Sequence, residues 1–184
     1  SLALVSAGNF ANIGGAAESL VSAFGSGLAG AAGATTVTVK DTAGVERAGR
    51  VLFASAGQVN FMLPAGLANG PATVNVLYAG NVVGATTYQI ETVAPAMFTA
   101  NGSGLGVPAA VAVRVRADGS QSVEPVARCT NTGTCTPVPL DLGLATDQLY
   151  LALFATGVRN RAQLADVGGR IGGELAEVQY AGAQ

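Results

Sequence analysis

The stretch Gly25-Ser26-Gly27-Leu28-Ala29-Gly30 comes after an apolar run and has the G-x-G-x-x-G spacing with which backbone N–H groups can cradle a pyrophosphate. That chemistry needs a helix opening at the third glycine. The chain instead continues through Ala31-Ala-Gly-Ala34 into the β-branched run Thr35-Thr-Val-Thr-Val39, so the motif reads as a Gly-rich turn between two strands and no cofactor is expected. Other reactive groups are few. The chain has no histidine, which removes Ser-His-Asp and Cys-His sites. A Ser–Lys pair would have to use Lys40, which reads with Asp41 as a solvated hairpin tip. The carboxylate pairs Asp141/Asp147 and Glu174/Glu177 lack the aromatic platforms that accompany sugar clefts. Asp141 and Asp147 also lack the further oxygen ligands that calcium requires. The expectation is a protein that is not an enzyme and holds no metal.

The two cysteines carry more information. Five polar residues separate Cys129 from Cys135, a spacing that lets the Cα atoms reach disulfide distance and closes a loop worth ~2 kcal/mol. The alternative is a pair of reduced thiols, for which a Thr/Gly loop is a poor burial site. Zinc would need further Cys or His ligands. A disulfide implies an oxidising compartment, hence a secreted or cell-surface protein. Candidate glycosylation sites are Asn101, in an Asn-Gly-Ser sequon, and Thr130, Thr132 and Thr134 between the cysteines.

Composition narrows the classes further. Hydrophobic residues make up 49% of the 184, ample for a core, whereas charged residues make up 11%, against roughly 25% in typical soluble domains. A net charge of −2 offers no basic patch for nucleic acid or anionic lipid. No apolar run approaches the ~18 residues of a membrane span.

The elements that must position these groups read as short strands with Gly/Pro/Asn punctuation: residues 20–24, 35–40, 50–54, 59–63, 72–78, 86–92, 111–116 and 148–154. Alternation places Arg114 and Arg116 on one wet face. Tyr78, Tyr88, Tyr150, Phe53 and Phe98 lie in or beside strand patterns and are assigned to the core. A helix over residues 12–20 is opposed by Gly14-Gly15. The spacing of strand signals marks an antiparallel sandwich or barrel. Asn101-Gly-Ser-Gly104 reads as a bridge between two modules, 1–98 and 99–184.

An internal repeat supports two modules. Ala23-Phe24-Gly25-Ser26-Gly27-Leu28 matches Leu153-Phe154-Ala155-Thr156-Gly157-Val158, and Val51-Leu-Phe-Ala-Ser-Ala56 matches Val178-Gln-Tyr-Ala-Gly-Ala183. The first copy continues through Gln58 to Tyr78 and the second has no counterpart, so the second module is expected to lack its closing strands.

The blocks LVSAFGSGLAG, VLFASAGQVNFMLPAGL, the cysteine pair with PVPLDLG after it, and YLALFATGVRNR resemble, in that order, the uncharacterised C-terminal domain family of secreted acidobacterial proteins of the Solibacter type. The resemblance covers nearly the whole chain and implies immunoglobulin-like (IPT/TIG-like) β-sandwich modules on exported proteins, with no catalytic residues to carry over. In that family the block matching VQYAGAQ leads into a segment resembling Gln58 to Pro64, which this sequence does not contain.

The expected function is a secreted structural module, the subunit of a filament or surface layer built by β-strand addition between copies. The alternative is a cell-surface binding module for an extracellular polysaccharide or protein. The uncharged segment Ser1, Leu2, Ala3, Leu4, Val5, Ser6, Ala7 is the expected inter-subunit strand, the rival expectation keeping it in its own module.

Overall fold

The computed structural model describes residues 1–29 and 34–182. The protein is all-β. It divides into one compact unit formed by Ser1–Ala96 with Thr156–Gln184, and a second formed by Met97–Ala155.

The first unit is built on one sheet of eight strands. These are β1 (Ala3–Ser6), β2 (Gly15–Ala16), β3 (Leu20–Phe24), β4 (Thr35–Lys40), β5 (Glu46–Ala54), β6 (Gln58–Met62), β7 (Gly70–Tyr78) and β8 (Asn81–Glu91). Their order is β1-β3-β6-β5-β4-β7-β8-β2, antiparallel except where β2 joins β8. The long strand β5 serves two neighbours, Glu46–Gly49 pairing with β4 and Arg50–Ala54 with β6, with a register shift between Val51 and Phe53. Such a bulge bends and twists a strand. Here it lets the sheet fold over its own inner face as a β-sandwich.

Alternation supplies the core. Val21 and Ala23 on β3, Val37 and Val39 on β4, Val59 and Phe61 on β6, Val74 and Val76 on β7 and Ile90 on β8 are fully buried and pack together. Burial of each larger member contributes ~1.5–3 kcal/mol. The amino terminus belongs to this core, because Leu2 and Leu4 are buried in it and Ala3–Ser6 pairs with Val21–Phe24. That corrects the assignment of Ser1–Ala7 as an inter-subunit strand: the segment is taken up in its own sheet.

The two-residue strands β9 (Ala96–Met97) and β15 (Ala155–Thr156) mark where the chain passes between units. Between them lie β10 (Ala110–Val115), β11 (Gln121–Pro125), β12 (Ala127–Cys129), β13 (Cys135–Pro137) and β14 (Gln148–Leu153). They form a three-stranded antiparallel sheet, β11-β10-β14, and the hairpin β12–β13. Asp118-Gly119 makes the β10–β11 turn, with Gly119 at φ 81° as such a turn requires.

After β15 the chain belongs to the first unit, whereas the sequence pattern runs the second module from 99 to 184. Local bonds explain the difference. Thr156 Oγ1 accepts the Leu20 N–H at 2.9 Å, Asn160 Nδ2 donates to the Ala17 carbonyl at 3.0 Å, and Arg159 pairs with Glu18 at 2.5 Å. Gly157 sits at φ 80°, and a Cβ there would collide with the Ala94 carbonyl. Beyond it come a 3-10 turn at Leu164–Asp166 and an exposed hairpin of β16 (Gly169–Ile171) and β17 (Glu174–Ala176).

Candidate functional site

On β10, alternation turns Ala112 and Arg114 to one face, but that face is not wet. Arg114 is 6% exposed because residues 138–147 lie over it. Its guanidinium donates through Nε and Nη2 to both oxygens of Glu124 at 2.6 and 3.2 Å, through Nη1 to the Leu142 carbonyl at 3.2 Å and Asp147 Oδ2 at 3.3 Å, and through Nη2 to the Asp141 carbonyl. These bonds use all five N–H groups of the fork. Arg116, two residues on, is the exposed member of the expected pair. The hydrogen bond from Arg114 holds the Glu124 carboxyl below its ordinary range, and the same bond raises the pKa of Arg114.

An open depression of about 530 Å³ borders this cluster, lined by Arg114, Arg116, Glu124, Asp141 and Asp147. Arg114 has no donor left for an anion there. Among the described residues no group of three His, Cys, Asp or Glu side chains is placed to hold a metal ion. The arrangement is a clasp that fixes the 138–147 loop to the sheet.

A second clasp lies in the first unit. Asp41 is 5% exposed, and its carboxylate accepts N–H bonds from Ala43, Val45 and Ala68 and an ion pair from Arg47 at 2.7 Å. The Ala68 N–H is the largest cause of its lowered pKa, with Val45 and Arg47 adding to it. Lys40 is exposed as expected, but Asp41 is an internal staple and not part of a solvated tip.

The structure also places the other sites expected from sequence. Cys129 and Cys135 are bonded to each other and stand directly opposite on β12 and β13. Thr130 and Thr132 hydroxyls lie 2.8 Å apart, the Thr134 N–H donates to Thr130 Oγ1, and Asn101 donates to the Gly133 carbonyl at 3.2 Å. All four candidate glycosylation residues are exposed. At the Gly-rich motif, the N–H groups of Gly25 and Leu28 donate to the Gly57 and Ala56 carbonyls at 3.1 and 3.0 Å, and Leu28 is buried in the core. Those donors are therefore not open to a phosphate, and Gly30 lies outside the described residues. Of the aromatics assigned to the core, Tyr88 is buried, donates to the Gly14 carbonyl at 2.7 Å, and has its pKa pushed up to about 12 by burial. Phe98 is half-buried, and Phe53, Tyr78 and Tyr150 are exposed.

The feature sequence reasoning placed least well is the surface of the β11-β10-β14 sheet. Its face opposite Arg114 carries Val111, Val113 and Val115 with their cross-strand neighbours Val123, 69% exposed, and Tyr150, 38% exposed. On the Arg114 face Leu153 is 44% exposed. β14 pairs with β10 along one edge, and among the described residues no strand pairs with its other edge.

By fold this is an all-β protein, sandwich-built in its first unit and stapled by one disulfide in its second. No protein-family model matches the chain, and no curated protein matches it. No helix among the described residues is long and apolar enough to cross a membrane.

Proposed function

We propose that the protein is a secreted structural module that joins neighbouring molecules by β-strand addition to its second unit, with copies of itself as the favoured neighbour in a filament or surface layer. The observation that carries this reading is the lack of a core in Met97–Ala155, where Ala112 is the one buried apolar side chain while Leu105, Val123, Leu142, Leu144 and Leu153 are exposed. A unit this poorly packed gains stability from any surface that covers its apolar groups. A surface with few charges favours the same outcome, because interface cores are depleted of them. The disulfide supports an extracellular setting. In this reading the chain carries two tandem immunoglobulin-like modules.

Sedimentation velocity over a hundredfold range of concentration, with electron microscopy of the concentrated sample, tests the proposal. Concentration-dependent association into elongated particles is expected. A monodisperse monomer across the range overturns it.

A further inference from the structure

The internal repeat and the sheet topology together identify what the open edge of β14 is shaped to accept. The repeat superposes Phe154 on Phe24, and so β14 on β3. The structure pairs the two strands alike on one side: β3 runs antiparallel to β1, and β14 runs antiparallel to β10. The retained glycine has the same backbone state in both copies, φ 68° at Gly27 and 80° at Gly157. On its other side β3 pairs with β6, which places Phe61 opposite Val21 and Val59 opposite Ala23. In the first unit β6 has a second partner, the Arg50–Ala54 half of β5. Among the described residues no strand pairs with that side of β14, the repeat counterpart of β3, and Val178–Tyr180, the counterpart of Val51–Phe53, forms no strand.

We propose that the free edge of β14 is a docking site for an antiparallel strand with the residue pattern of Gln58–Leu63: uncharged, with large apolar side chains at alternate positions. This names the partner of the strand addition proposed above and rests on that reading. The edge itself carries the complementary chemistry. Gln148–Leu153 has no charge and no proline, the devices that keep natural edge strands from pairing. Phe154 donates its N–H to the Ala109 carbonyl, on the β10 side. Alternation along an antiparallel strand therefore aims the N–H and C=O groups of Leu149, Leu151 and Leu153 at the free edge. Transferred by the repeat, the β6 register sets a phenylalanine-like residue opposite Leu151 and a valine-like residue opposite Leu153, on the face shared with Ala112. There they cover Leu153, whose counterpart Ala23 is fully buried in the first unit. Backbone bonds would give affinity and the alternate side chains specificity, as in other β-augmented complexes.

The test uses the whole chain and a synthetic peptide of residues 57–67, GQVNFMLPAGL, read by amide hydrogen exchange and by fluorescence anisotropy of the labelled peptide. Protection is expected at the Leu151 and Leu153 amides. Lysine at the peptide positions of Val59 and Phe61 should weaken binding more than about tenfold, and Leu153→Lys in the protein should weaken it comparably. Absence of protection in β14, or protection confined to Val21 and Ala23 by exchange with the chain's own β6, overturns the inference. Self-association is read separately on the peptide-free protein. Association without β14 protection ends this inference and leaves the proposed function standing, whereas protection in a strictly monomeric protein does the reverse.

Discussion

At the scale of single residues, two of the protein's few charges, Asp41 and Arg114, are buried. Asp41 and the Arg114–Glu124 pair are each hydrogen-bonded to loop backbone as well as to an opposite charge, so each holds a loop against a sheet. The lysine ammonium offers a point charge where Arg114 offers a planar fork, and Arg114→Lys would leave the Asp141 and Leu142 carbonyls and one carboxylate short of donors. That variant should lose several degrees in Tm by thermal unfolding, and an unchanged Tm would show the clasp to be idle. The carboxyl groups of Asp41 and Glu124 are held below their ordinary range. Their contribution is complete above the ordinary carboxylate range and disappears as the pH falls through the folded-state values, where the unfolded chain already binds protons. Stability measured from about pH 6 to pH 2 should therefore decline, and less steeply in Glu124→Gln; parallel curves for the two proteins would count against this account. The disulfide is a third staple. Cys129→Ser with Cys135→Ser should cost ~2 kcal/mol by the loop-closure argument, and two reactive thiols per chain in the unfolded, unreduced protein would remove the bond itself.

At the scale of elements, strands were legible wherever one face is buried and the other wet. Thr35–Lys40 and Gln58–Met62 alternate cleanly, and their boundaries match the pattern to within a residue. β8 begins at Asn81, earlier than the pattern suggests, because Gly84 interrupts the alternation and a bulge near Val83 shifts the register. Two features were hidden for physical reasons. An arginine at an alternate strand position reads as wet unless one knows that a loop some thirty residues away returns over it, as the 138–147 loop does for Arg114. An uncharged terminal segment pairs equally well with its own sheet or a neighbour's, and only the burial of Leu2 and Leu4 decides for Ala3–Ser6. The inner strand β6 of the first unit is where sequence and packing agree best. Phe61→Ala on β6 should cost ~3–5 kcal/mol in denaturant unfolding, and a loss below about 1 kcal/mol would mean that the two halves of the sheet do not share one core.

At the scale of the whole molecule, stability is distributed unequally between the two units. The first encloses a continuous cluster running from Leu4 through Phe61 to Ile90, whereas Met97–Ala155 relies on Ala112, the Arg114 clasp and the Cys129–Cys135 staple. A staple lowers the entropy of the unfolded chain, and a clasp orders a loop, but neither removes much apolar surface from water. Local opening should therefore cost less in the second unit than in the first. Native-state hydrogen exchange on the monomeric protein at low concentration should show the amides of β10 and β14 opening at a free energy lower by at least ~2 kcal/mol, about the value of burying one large apolar side chain, than those of β3, β6 and β7. If a strand added to β14 completes that unit, the gap should narrow as the added strand saturates the edge, because a ligand of the folded state stabilises it in proportion to the logarithm of its concentration over Kd. Equal opening energies in the free monomer would mean that the second unit has a source of stability other than the buried contacts described, and its open edge would then have no energetic reason to recruit a partner.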